Sequence, residues 1–134
     1  MHRKGATCAR APGHPDLPPE FQAAGQPVLV GGSMGSSSYV LAGAPGNAAR
    51  AFASACHGAG RRMSRSQARK QWRGPEIVRQ LARQGIATRG QSNAGMAEEA
   101  PGAYKNIEAV IAATVSAGLA RRVARLEPLL CVKG

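Results

Sequence analysis

Apolar side chains recur at helical spacing in two stretches of the chain, and short unbroken apolar runs lie between polar, glycine-rich segments. Gln26-Pro27-Val28-Leu29-Val30 and Tyr39-Val40-Leu41-Ala42 are such runs, and each predicts a strand. Gly31-Gly32-Ser33-Met34-Gly35-Ser36-Ser37-Ser38 joins them as a loop. Ile77, Val78, Leu81 and Ala82 form the first helical stripe, opened by Gly74-Pro75 and closed by Gly85. Ile107, Val110, Ile111 and Val115 form the second, capped by Asn106 and stopped by Gly118. Ser64 is the expected N-cap of a third, basic helix through Lys70.

The remaining segments are less periodic. The proline run Pro12 to Pro19 makes residues 1 to 27 a loop, because proline at that density blocks helix and central strand alike. Residues 47 to 56 are alanine-rich and fit either helix or extended chain. Ile86-Ala87-Thr88 is a short strand candidate, residues 90 to 103 are expected to be loop, and the tail from Arg122 to Val132 begins as an alternating strand. No internal repeat and no strand–helix–strand rhythm is present. The expected fold class is α+β, with short strands, glycine-rich loops and about three helices.

Composition narrows the function. A chain of 134 residues suggests one small domain, and the core must rest on Val, Ile and Leu because much of the apolar fraction is alanine. The net charge of +11 favours a polyanionic partner such as nucleic acid, although a basic surface alone also accounts for it. Cys8, Cys56 and Cys131 form no CxxC pair, which argues against a zinc or disulfide framework and fits a reducing, cytoplasmic setting. No apolar run reaches membrane-spanning length, so no membrane partner is expected.

Two places carry candidate chemistry. His57 lies in Cys56-His57-Gly58-Ala59-Gly60-Arg61-Arg62. An imidazole is a nucleophile near neutral pH, the glycines let main-chain amides approach a ligand, and the arginines can hold phosphate oxygens. Local spacing leaves open whether His57 is such an acceptor or an ordinary loop histidine. The Gly31 to Ser38 loop presents amides and hydroxyls suited to an anion, but taken by itself it reads first as a flexible hairpin connection. Glu98 and Glu99 are expected to be exposed, Trp72 to pack rather than stack on a base, and His14 to have no role.

The ordered segments His2-Arg3-Lys4-Gly5-Ala6-Thr7, Gly25 to Val30, Gly32-Ser33-Met34-Gly35, Cys56 to Arg61, Ala97-Glu98-Glu99-Ala100-Pro101 and Val132-Lys133-Gly134 resemble the C-terminal portion of RtcB-type RNA ligases. The resemblance runs from residue 2 to 134. It implies a GTP-dependent ligase that joins RNA 2′,3′-cyclic phosphate or 3′-phosphate ends to 5′-hydroxyl ends, with Mn²⁺. His57 would carry the guanylate. Gly31, Gly32, Ser33, Met34, Ser38, His57, Gly58, Ala59, Gly60, Tyr104 and Lys133 would contact it, and Lys4, Arg61 and Arg65 would contact RNA or triphosphate.

The family's N-terminal part, which supplies the Mn²⁺ ligands, is expected to be absent, so residues 1 to 134 would be a C-terminal segment needing a separate N-terminal fragment for activity. Cys8 stands where the resemblance leads one to expect an arginine. The alternatives are a non-catalytic basic RNA-binding module and a gene remnant.

Overall fold

In the computed structural model, which describes residues 1–133, the chain folds around two adjoining apolar clusters. Gly134, the last residue of the Val132-Lys133-Gly134 motif, lies outside the described residues. The first cluster is built on an antiparallel sheet of β2 (Pro27–Val30), β3 (Ser38–Gly43) and β6 (Ala120–Leu126), with β3 in the centre. Val28, Val30, Tyr39 and Leu41 face inward from β2 and β3 and meet Ile107 and Ile111 of α5 (Ile107–Ser116). The apolar run of β2 thus resolves into alternation: Val28 and Val30 are buried, while Leu29 is 72% exposed.

The second cluster joins α3 (Gly74–Arg83), through Ile77 and Leu81, to Ile86 and to Met96 of α4 (Asn93–Glu98). Met34, from the glycine–serine loop, completes it. A basic helix, α2 (Arg65–Gln71), flanks this cluster. Its N-terminus is a capping box: Gln67 donates its N–H to the Ser64 hydroxyl (3.2 Å), and the Ser64 N–H is donated to the Gln67 side chain (2.9 Å). Asn106 caps α5 by accepting from Glu108 N–H at 2.8 Å. Gly85 and Gly118 end α3 and α5 with φ of 77° and 66°, the left-handed region that glycine reaches at little cost.

Two outlying pairs complete the fold. The antiparallel pair of β1 (Ala6–Cys8) and β4 (Ser54–Cys56) sets Ala6 opposite Cys56. The parallel pair of β5 (Ala87–Gly90) and β7 (Leu130–Lys133) sets Gly90 opposite Lys133. A short helix, α1 (Asn47–Ala51), precedes β4, so the alanine-rich 47–56 stretch is helix first and strand afterwards. The result is an α+β fold with, among the described residues, three α-helices of seven residues or more and two shorter ones.

Several expectations are corrected. Residues 1 to 27 are not all loop, because Ala6–Cys8 finds a partner in β4 and Pro19–Phe21 forms a 3-10 turn. Residues 90 to 103 contain α4, which Ser92 caps (Gly95 N–H to the Ser92 hydroxyl, 3.0 Å) and which buries Met96 and Ala97. Tertiary burial outweighs the weak local propensity there. In the α5 stripe, Val115 is 41% exposed, and Thr114 is buried instead by returning its hydroxyl to the Val110 carbonyl (2.8 Å). Strand β6 shows no alternation: only Ala120 is buried, as fits a sheet edge.

Candidate functional site

The end of β2 and the end of β4 are stitched together by main chain alone. Gly31 donates its N–H to the His57 carbonyl (3.3 Å), and Ala59 donates its N–H to the Gly31 carbonyl (2.9 Å). A Cβ on Gly58 would stand 3.3 Å from that carbonyl, a tight contact that the carbonyl would have to relieve by a few tenths of an ångström. His57 is thereby placed beside Gly31 with its side chain exposed. The register of β1 on β4 puts Lys4 and Gly5 at the same end of that pair as His57, and Lys4 is exposed.

The glycine–serine loop is folded on itself. Gly32 donates its N–H to the Ser38 hydroxyl (3.2 Å), Ser33 donates its N–H to the Ser36 hydroxyl (2.7 Å), and the Ser33 and Ser36 hydroxyls are 2.9 Å apart. A Cβ on Gly32 would fall 2.1 Å from the Ser37 carbonyl oxygen, so no other residue fits. Met34 is 1% exposed and its side chain anchors the loop in the second apolar cluster, so this residue can offer a ligand only its main chain. A cavity of about 470 Å³ opens against the loop, with Ser33, Ser36, Arg62, Tyr104, Lys105 and Arg125 among its walls. His57 and Lys133 are not among them.

Beyond Gly60, which has a left-handed φ of 71°, side chains take over the positioning. Arg61 donates to the Tyr104 hydroxyl (3.1 Å), Glu99 Oε1 (3.3 Å), the Glu98 carbonyl (2.7 Å) and the Met63 carbonyl (3.1 Å). Its guanidinium also lies 4.9 Å from the Tyr104 ring centroid, a cation–π contact. The Tyr104 hydroxyl donates to Glu99, and Lys133 Nζ is 3.8 Å from the same carboxylate. Arg65, largely exposed, approaches Glu98 at 3.5 Å and Glu99 at 3.6 Å, and Arg69 approaches Glu98 at 3.4 Å. Burial pushes the Glu99 carboxyl up, but the Tyr104 hydroxyl and the charges of Lys133, Arg61 and Arg65 outweigh it and hold the group below its ordinary range. Burial and the bond to Glu99 both push the Tyr104 phenol up.

Of the predicted residues, Gly31, Gly32, Ser33, Ser38, His57, Gly58, Ala59 and Gly60 form one main-chain-built group. Tyr104, Arg61, Arg65 and Lys133 form a second group around Glu99. The acidic pair is not exposed as expected: Glu99 is the hub of this network. The available signal is the charge imbalance, 18 basic against 7 acidic side chains, which gives every carboxylate a surplus of partners. Arg62, offered by the sequence as a phosphate contact, borders the cavity, and so do Lys105 and Arg125, which no motif marks. Among the described residues, no group of three or more His, Cys, Asp or Glu side chains is placed to hold a metal ion, so the Mn²⁺ expected from the resemblance finds no ligand set among them. No helix of the described residues is long and apolar enough to cross a membrane.

A family model described as tRNA-splicing ligase RtcB matches residues 1–134. The chain is 55% identical to the RNA-splicing ligase RtcB of Mycobacterium tuberculosis over all of its length, covering 31% of that protein. It is 52% identical to the tRNA-splicing ligase RtcB of Pyrococcus furiosus, of which it covers 14%, and 50% identical to that of Thermococcus kodakarensis, of which it covers 28%. The chain thus spans less than a third of the length of these relatives.

Proposed function

The chain belongs to the RtcB family of tRNA-splicing ligases, and from that premise we propose that it serves RNA end-joining as the part that accepts guanylate from GTP. The observation that supports this most is His57, exposed and held by its own main chain against Gly31 at the mouth of the glycine–serine loop.

In this reading the His57 imidazole attacks the α-phosphorus of GTP. A nitrogen–phosphorus bond forms as the α–β phosphoanhydride breaks, and pyrophosphate leaves. The guanylate then passes to the RNA 3′-phosphate, and the 5′-hydroxyl of the second RNA end displaces it. The amides of the Gly31 to Ser38 loop and the Ser33 and Ser38 hydroxyls are suited to hold the nucleotide. Tyr104, bonded to Glu99, lines the cavity beside the loop, Lys133 approaches the same carboxylate, and Lys4, Arg61 and Arg65 bring positive charge for RNA or triphosphate. In this reading Mn²⁺ would be held by residues of the part of the relatives' length that these 134 residues do not span. The free thiols Cys8, Cys56 and Cys131 suit a reducing, cytoplasmic setting.

The test is labelling with α-³²P-GTP and Mn²⁺, for wild type and His57→Ala, alone and with the N-terminal portion of a relative. Label on wild type that is absent from His57→Ala supports the reading. Label on both proteins, or on neither in any condition, sinks it. A second reading, a non-catalytic RNA-binding module, draws on the charge of +11. It requires that His57→Ala leave RNA affinity unchanged and that affinity fall steeply with salt.

A further inference from the structure

Away from His57, the surface between α2, α3 and α4 forms an open groove, a cavity of about 630 Å³ that the ligase reading leaves unused. Arg69, Trp72, Arg73, Glu76, Arg79 and Asn93 stand in its wall. Arg73 and Arg79 are exposed, and neither forms an ion pair among the described residues. The lone wall carboxylate, Glu76, faces three guanidinium groups, so the cavity is net positive. Trp72 is half-buried. It packs on the second apolar cluster and against Gly102, where an added Cβ would come within 2.5 Å of the indole, and its remaining surface belongs to the cavity wall.

A fixed aromatic ring among unpaired guanidinium groups is the arrangement that takes a base on the ring and phosphates on the cations. Helix α2 links this cavity to the Glu99 network: Arg65 reaches Glu98 and Glu99, and Arg69, one turn further on the same face, reaches Glu98 and lines the cavity. We propose that the Arg73–Arg79–Trp72 cavity is a binding site for single-stranded RNA, taking a segment of the strand remote from the joined ends, with a base on Trp72 and flanking phosphates on Arg73 and Arg79. This rests on RNA being the partner and assigns a place to the strand that the end-joining residues do not.

Trp72 is the chain's one tryptophan, so its emission reports this cavity directly. The experiment titrates the full chain with a single-stranded oligoribonucleotide of roughly 10 nucleotides, following Trp72 fluorescence across a salt series. Wild type is compared with Arg73→Ala/Arg79→Ala and with Arg83→Ala/Arg89→Ala, an exposed pair elsewhere that removes the same charge. Polyglutamate serves as a polyanion without bases.

RNA is expected to quench Trp72, and polyglutamate is not. The cavity pair should lower affinity by about tenfold and flatten the log–log salt slope by about 1.4, or roughly 0.7 per lost phosphate contact. The control pair should change affinity by no more than about twofold. An unquenched Trp72, equal quenching by polyglutamate, or equal losses in both pairs overturns the proposal. The titration contains neither GTP nor metal. The cavity can therefore fail while His57 still labels, and labelling can fail while the cavity still binds.

Discussion

His57 and Arg61 are separated only by Gly58, Ala59 and Gly60, yet the fold holds them in opposite ways. At His57 the main chain does the positioning: its carbonyl is bonded to Gly31, and the imidazole is left exposed. At Arg61 the side chain is fixed by four hydrogen bonds and a tyrosine ring, inside a cluster of opposite charges. The first arrangement leaves a reactive group available at small conformational cost. The second commits its charge to structure and holds the guanidinium in a fixed position. One short loop thus leaves a histidine side chain exposed and holds an arginine side chain fixed.

The difference is open to attack from either side. The largest effect is expected for His57→Ala, which should abolish α-³²P-GTP labelling while changing the unfolding free energy from urea denaturation by less than about 0.5 kcal/mol, because an exposed imidazole with no side-chain bond among the described residues contributes little stability. Gly32→Ala should destabilise the chain by about 1–3 kcal/mol in the same denaturation, since its Cβ would strike the Ser37 carbonyl.

Glu99→Gln should cost about 1–2 kcal/mol by weakening the charged bonds to Arg61. Because the Glu99 carboxyl is held below its ordinary range in the folded state, its stabilisation is present above the unfolded value of about 4.3 and is lost as pH falls through the lower folded value. An acid titration of stability should therefore lose part of its slope in Glu99→Gln. Arg65→Ala should cost least, below about 0.5 kcal/mol by thermal melting, because that side chain is 68% exposed. A large loss there would mean that the cluster depends on its outer charge, and the contrast with the His57 side would narrow.

Helix starts and stops were legible because their causes are local. Ser64, Asn106, Gly85 and Gly118 each act within a few residues, and each stands at a helix end as the sequence predicts. Strand β1 and helix α4 were not legible, since each depends on something distant: β1 on β4, and α4 on burial of Met96 against α3 and Ile86. The candidate site divides along the same line. The glycines and His57 announce themselves as a motif. The role of Glu99 depends on Arg61, which is 38 residues away in the chain, and on Lys133, and no spacing rule joins them. Met34 shows the reverse error, a motif residue whose side chain belongs to the core.

Strand β3 pairs with β6, so Ser38 waits for Leu126, and β5 waits for β7. Cys131 lies 3.5 Å from the Met34 carbonyl, and Lys133 closes on Glu99. The glycine–serine loop and the Glu99 cluster are therefore each completed by contacts from strands far along the chain from their own residues, so their final shape depends on long-range pairing. Without β7 the Cys131 contact to the Met34 carbonyl and the Lys133 contact to Glu99 would be missing, while the bonds among Gly31, His57 and Ala59 do not draw on that strand.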